Sequence, residues 1–299
     1  MSRLFLATCN KKNSILFMFI YRGEGILMHD DVFHLLSVEY SLILATEEEH
    51  FQAVKEIRND VIVNHYPDVK ETKKYVFGQD DKQSFIYLLQ HNKTKKYVGS
   101  VRIFFANERT PSQKIPMEKD LHIKDIEQLT QNLPICEVSR FALINDQIKH
   151  DHFSELQLRT YLSLALMCAT RINFLLYDYT KMFAIMERSL HHILKRQRVA
   201  FTSIGDAIDF HGVRFPFVIK KEDLALAIEK TEGSMGKLTK FYLQELCKNS
   251  KTFWEFVDNN PYLDRSDIHL DQICQIFKEH GKDASMALFV EMNNVTIKA

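Results

Sequence analysis

The chain has 299 residues, of which 45% are apolar and 26% charged, and its formal net charge is zero. This is ordinary globular composition, long enough for one large domain or two modest ones. A balanced charge leaves no global field to attract nucleic acid or an anionic membrane, so any anionic partner has to meet a local patch.

The apolar run over residues 15–21 is too short to span a bilayer and has no small-residue cleavage site behind it, as a signal peptide would. Arg22, Gly23, Glu24 and Gly25 can be written with purine-only codons, which resembles a bacterial ribosome-binding site ahead of Met28. One reading of residues 1–27 is therefore that they are untranslated, and residues 1–39 are set apart as an N-terminal extension. Residues 40–45 read as a strand. Thr46 and Glu49 then fit a capping box for a helix running through Phe51, Val54 and Ile57 to about Val63, with Pro67 past its end. Residues 84–90 and 97–105 read as strands joined by the polar turn 91–96, a hairpin carrying Gly99 and Arg102. A mixed polar stretch with a short helix near residues 117–122 leads to the most informative run, Glu137-Val138-Ser139-Arg140-Phe141-Ala142-Leu143-Ile144.

The end of that run reads as a short buried strand. Strand alternation sends Glu137 and Ser139 to one face and Val138 and Arg140 to the other. Ionic groups on both faces of a strand start are costly unless paired or exposed, so the start of this strand is a candidate site. Beyond it the pattern predicts an apolar helix over 154–171, a strand or strand-like link over 174–179 and an amphipathic helix with a basic end over 181–198. Paired strands over 202–208 and 213–219 follow, around His211 and Gly212. From Glu222 onward the pattern is mostly helical, with breaks near Asn249, Pro261 and Gly281. The whole order implies an α/β (α+β layered) domain over residues 40–221, with a mixed central sheet flanked by helices, and a helical C-terminal region over 222–299.

The five cysteines (Cys9, Cys136, Cys168, Cys247 and Cys274) include no C-x-x-C pair. Neither a disulfide framework nor a zinc site is suggested, and a reducing cytoplasm is the expected setting. The nine glycines form no G-x-G-x-x-G or Walker-type loop, which disfavours glycine-loop recognition of ATP, NAD or the pyrophosphate of coenzyme A. Adjacent His191 and His192 on a helix do not face one site, so they do not point to a metal.

Five motifs in order carry a resemblance. These are Ile57-Arg58 late in the first helix, Asp81 ahead of Tyr87-Leu88-Leu89, Gly99-Ser100-Val101-Arg102 on the hairpin, Glu137-Val138-Ser139-Arg140-Phe141, and His211-Gly212-Val213-Arg214-Phe215-Pro216. Over roughly residues 40–220 the chain resembles the autoinducer (acyl-homoserine-lactone) synthase family. Within it the likeness is to the N-acyl amino acid synthase and exosortase (PEP-CTERM)-associated acyltransferase branch, which has the GNAT fold. The family's downstream aromatic, often tryptophan, has no match, because the only tryptophan is Trp254; Tyr66 lies nearby. Gly78 stands where the family has one of two acids. Both departures fall on the S-adenosylmethionine side, which makes lactone synthesis a weaker expectation than acylation of another amine.

The resemblance implies an N-acyltransferase moving a fatty acyl group from an acyl carrier protein thioester to an amino acid or similar small amine. The alternatives are an acyl-homoserine-lactone synthase using S-adenosylmethionine and a non-catalytic acyl-thioester-binding protein. Acyl-phosphopantetheine would be the donor substrate, with no tightly bound cofactor. Glu137 is the candidate base, or else a salt-bridged structural glutamate. Arg102 and Arg140 would organise the site by binding a carboxylate or by pairing with Glu137 and Asp81. Arg58, Asp81 and Ser139 are candidate substrate-binding residues. Phe104 and Phe141, with Phe105, Leu164, Met167 and Phe174, are candidates for an acyl slot, or plain core. Arg188, Lys195, Arg196 and Arg198 form a basic patch suited to an acidic carrier protein, or a solvated helix face. A Cys136–His nucleophile pair has nothing in the sequence to position it.

Overall fold

The computed structural model describes residues 30–65, 76–144, 150–196, 199, 201–210, 212–223 and 234–280. Residues 1–27, Tyr66 and Arg198 lie outside these, as do the side chains of Arg196 and His211. A short helix α1 (Asp30–His34) and a π-helical turn (Leu35–Glu39) lead into β1 (Tyr40–Leu44). Helix α2 (Glu48–His65) follows, then a 3-10 turn (Gln79–Gln83) and the hairpin of β2 (Ser84–His91) and β3 (Tyr97–Ala106). Two short helices, α3 (Pro116–Asp120) and α4 (Ile126–Thr130), precede β4 (Ile135–Leu143). Helix α5 (Glu155–Leu176), β5 (Lys181–Met186) and α6 (Arg188–Arg196) come next, then β6 (Thr202–Ser203), β7 (Ile208–Asp209) and β8 (Val213–Lys220). Three helices, α7 (Ser234–Lys248), α8 (Ser250–Asp258) and α9 (Leu270–His280), with a 3-10 turn at Arg265–Asp267, end the described chain.

The strands form one mixed sheet in the order β1-β2-β3-β4-β5-β8-β6, with β7 also on β8. All pairings are antiparallel except β4 with β5, which α5 joins as a crossover. Helix α5 and the three C-terminal helices build the larger core on one face. On the other, α2 covers Ile86 and Leu88, and the α3–α4 segment covers Phe104, Ile135 and Phe183. Gly99 lets β3 come close to its neighbours. A Cβ there would sit 2.5 Å from Leu143 Cδ2 and 3.0 Å from Leu166 Cδ1, closer than packed carbon atoms allow. Among the described residues, no helix is long and apolar enough to cross a membrane.

Several local expectations change. The 174–179 segment is not a strand: α5 continues through Leu176, and only Tyr177 bridges to Ile268. Residues 181–186, expected as helix, are the central strand β5. A strand covered on both faces reads as a continuous apolar run, here Met182-Phe183-Ala184-Ile185-Met186, with no alternation to identify it. Helix α2 starts at Glu48, one residue later than a Thr46 cap would place it. The Nδ1 of His50 accepts from the N–H groups of Thr46 and Glu47, at 3.2 and 3.3 Å. The expected absence of a disulfide is also overturned, because Cys247 and Cys274 form one between α7 and α9, with Cα atoms 5.4 Å apart. Their 27-residue separation carries no motif, and helix packing brings them into range.

The C-terminal helices are seated by specific contacts. The Tyr242 hydroxyl donates to Leu36 O at 2.9 Å. Phe253 and Phe256 lie on Phe85, at ring-centroid distances of 6.4 and 5.3 Å. Asp178, just past α5, accepts from Lys221 and lies 2.9 Å from His269 Nε2, an ion-pair distance with poor hydrogen-bond alignment. Burial pushes this carboxyl up, but His269 and Lys221 together outweigh it and hold the pKa at about 2. A depressed carboxyl stabilises the fold above its ordinary value of 3.8, and the contribution is lost as pH falls through about 2. Asp178→Asn is expected to lower the urea midpoint at pH 7, and the gap to the unmodified chain should narrow as pH falls from 3.8 and close only below about 2. A gap independent of pH would assign the loss to packing instead.

Candidate active site

The site begins with an arginine that the helix period forces inward. Val54, Ile57, Arg58 and Val61 share the sheet-facing stripe of α2 at i, i+3, i+4 and i+7. Arg58 is accordingly only 2% exposed. A buried guanidinium needs a partner, and Asp81 provides it, with Oδ1 2.7 Å from Arg58 Nη1. The same carboxylate caps its own turn, as Oδ2 accepts from Gly78 N–H at 2.8 Å. Asp81 thus caps its own turn and pairs with a buried charge at once.

Arg102 approaches from β3, with Nη1 3.8 Å from Asp81 Oδ1. Its Nε donates to Ser139 Oγ on β4 at 3.1 Å. Arg102 and Ser139 are direct cross-strand partners, which sets this contact. A continuous chain therefore runs Arg58–Asp81–Arg102–Ser139 from α2 through the turn before β2 to two strands, β3 and β4. Asp81 is the one carboxylate within ion-pair distance of these two guanidinium groups among the described contacts. Burial pulls the Arg58 pKa below its usual range; Asp81 opposes this and Arg102 adds to it. Its Nε and Nη2 are buried and have no hydrogen-bond partner among the described residues.

Glu137 lies two residues before Ser139 on the same face of β4, opposite Phe104. It is 3% exposed, and its Oε2 accepts from Met117 N–H at 2.6 Å. Met117 stands in the first turn of α3, behind Pro116, where helix N–H groups have no partner within the helix. A distant carboxylate thus caps this short helix and ties it to β4. Lys119 of α3 adds an ion pair to Asp80 at 3.0 Å and lies 5.1 Å above the Phe104 ring.

Arg140 departs from simple alternation. Its φ is +54°, and the β3–β4 register slips between Ser100–Ala142 and Arg102–Ser139. Two residues of β4, Arg140 and Phe141, therefore oppose Val101 alone, which is a β-bulge. The consequence lies on the other edge of β4. Pairing with β5 covers only Ile135–Lys181 to Val138–Ala184. Past that point β4 continues beside β3 alone, and Ile185 and Met186 pair only with β8. The two parallel strands thus open apart directly beyond Glu137 and Val138.

Other sequence candidates fall in different places. Phe104 belongs to the α3–α4 cluster, whereas Phe105, Leu164 and Phe174 lie in the α5 core, with Phe141 and Met167 packed against it. They cannot line one slot together, because successive strand residues face opposite sides. Arg188 lies 4.6 Å over the Phe215 ring, while Lys195 is exposed. His191 is satisfied in place: its Nε2 is 2.9 Å from Phe201 O, and its ring stacks on Phe217 at 4.4 Å. Burial, with Glu137 adding, pushes the Cys136 thiol well above its ordinary range, which keeps it protonated and a poor nucleophile. The Met117 amide was not singled out from sequence; Pro116 at the start of a short helix is the signal that could have found it.

No protein-family model and no curated protein sequence matches the chain. Among solved structures it is similar to FeeM, an N-acyl amino acid synthase from uncultured soil microbes (13% identity, TM-score 0.45), over 63% of this chain and 94% of that one. It is also similar to the AHL synthase LasI (16%, TM-score 0.41), over 63% and 93% of the two chains. A third is BjaI, a CoA-dependent acyl-homoserine lactone synthase with SAM and isopentyl-CoA (16%, TM-score 0.41), over 69% and 99%. Likeness at this level decides nothing about chemistry, which rests on the residues themselves.

Removing Asp81 leaves two buried guanidinium groups uncompensated. Asp81→Asn is expected to cost about 3–5 kcal/mol of stability, read as a lowered urea midpoint with unchanged slope. A loss below about 1 kcal/mol would mean that the pair is solvated in solution.

Proposed function

We propose that this chain is an N-acyltransferase that moves an acyl group from a phosphopantetheine thioester to the amine of a small carboxylate-bearing acceptor, an amino acid or a close analogue. The observation that carries this reading is the opening between β4 and β5 beside buried Glu137. Backbone N–H groups freed by parting strands can hydrogen-bond an extended thioester arm as a further strand would. They can also stabilise the oxyanion of a tetrahedral intermediate.

The chemistry then assigns roles. The acceptor amine reacts only when neutral, and Glu137, directly or through one water, takes its proton. The nitrogen forms a bond to the thioester carbonyl carbon, the C–S bond breaks, and the thiolate leaves with a proton. Arg58, with two buried nitrogens lacking hydrogen-bond partners among the described residues, and Arg102 suit an acceptor carboxylate, as guanidinium groups commonly do. Asp81 holds both arginines in place. The apolar side chains of the α5 face near Phe141 suit the acyl chain.

Carrier-protein delivery is preferred over free coenzyme A on two grounds. The sequence lacks a glycine phosphate loop. The first turn of α5, the natural anion site after β4, is capped by its own Ser154–Gln157 box and carries Glu155; both features disfavour a phosphate there. Arg188 and Lys195 on α6, with Arg196 and Arg198, are the proposed docking patch for the acidic carrier.

The deciding assay supplies acyl carrier protein loaded with a long acyl chain and a panel of amines, and reads thiol release and product mass. Amides of amino acids are expected, and amines without a carboxylate should react poorly. A lactone product would point to the S-adenosylmethionine alternative. Tight carrier binding with no thiol release from any amine would point to a non-catalytic binding protein. Glu137→Gln should lower kcat roughly 100- to 10,000-fold with the fold retained by circular dichroism; an unchanged rate would remove Glu137 as the base.

A further inference from the structure

A second group of polar side chains lies on the opposite face of the sheet and takes no part in this chemistry. Tyr87 projects from β2 into the α5 core, and Asn173, Tyr177 and Tyr179 come from the end of α5 and the link to β5. All four are at most 4% exposed. The rings of Tyr177 and Tyr179 stack at 5.2 Å, and Tyr177 packs on Phe85 at 5.2 Å. The Asn173 side chain acts as a hydrogen-bond partner of the Tyr87 hydroxyl and lowers its pKa, against the larger upward push of burial. Even so, the three hydroxyls and both amide atoms of Asn173 complete no well-aligned hydrogen bond among the described residues.

Five buried polar atoms in one place without a well-aligned partner among the described residues are unusual, since a poorly satisfied buried group costs free energy. Burial pushes the Tyr87 hydroxyl up to about 12 and those of Tyr177 and Tyr179 well above their usual range. All three therefore carry their protons at neutral pH and can both donate and accept. The walls are C-terminal. Phe253 and Phe256 cover Phe85, Tyr177 bridges to Ile268, and His269 N–H donates to Leu176 O at 2.9 Å. The charged pair Arg109–Asp267, half exposed, stands near enough to influence Tyr177 and marks the side nearest solvent.

We infer that Tyr87, Asn173, Tyr177 and Tyr179 form an internal site for a neutral hydrogen-bonding guest, ordered water or a small hydroxyl-bearing molecule, enclosed by the C-terminal helices. The guest is neutral because donors and acceptors are balanced there and none of the four side chains carries a charge. The three C-terminal helices thereby have a role apart from the Glu137 face: they seal a polar chamber that would otherwise open to bulk solvent.

The test uses the full chain and the single variants Tyr87→Phe, Tyr177→Phe and Tyr179→Phe, which keep ring packing and remove one hydroxyl each. If a guest is present, each variant robs it of a partner, and Tm should fall by about 2–4 °C. A crystal structure should then show density within hydrogen-bond distance of at least two of the four residues. Glycerol, as a hydroxyl-bearing probe, separates the two guests. A Tm rise with glycerol larger than in the Tyr177→Phe variant indicates an exchangeable small molecule, and an equal rise indicates resident water. Phenylalanine variants as stable as the parent or more so, with no density between the four side chains, would overturn the inference.

Discussion

Everything at the proposed catalytic face depends on the buried pairing of Arg58 with Asp81. It joins α2 to the turn before β2, and through Arg102 it reaches Ser139 on β4. A charge chain of this kind is poor value as plain stabilisation, because two apolar residues of similar volume would cost less to bury. Its use is positional. It fixes one helix, the turn before β2 and two strands relative to each other and leaves two Arg58 nitrogens without hydrogen-bond partners among the described residues.

The second constraint is the bulge at Arg140 and Phe141. One extra residue in β4 twists the strand away while β5 continues toward β8. The opening arises where Glu137 already sits, anchored by the Met117 amide. Glu137, the gap and the end of the charge chain thus meet within the short stretch from Glu137 to Phe141 of one strand, each tied to a different neighbour.

Much of this was legible in the chain. Helical spacing marked α2, the polar turn marked the β2–β3 hairpin, and the acid and base at Glu137 and Arg140 marked the strand start. Other parts were hidden for physical reasons. β5 is buried on both faces and shows no alternation, so it read as helix. Residues 174–176 continue α5 because the apolar stripe does not stop there. The capping roles of His50 and of Glu137 toward Met117 depend on side chains meeting backbone groups that local pattern does not identify.

The sequence by itself determined the helix period that carries Arg58 and the strand period that carries Glu137; it left open whether Arg58 faces solvent. Those periods are properties of local backbone geometry and are readable one segment at a time. Only the tertiary structure decided who the partners were, that Arg140 adopts a left-handed conformation, that β4 and β5 part beyond Val138, and that Cys247 meets Cys274. These outcomes depend on register and packing between segments far apart in the chain. The spacing of residues along one segment carries no record of either.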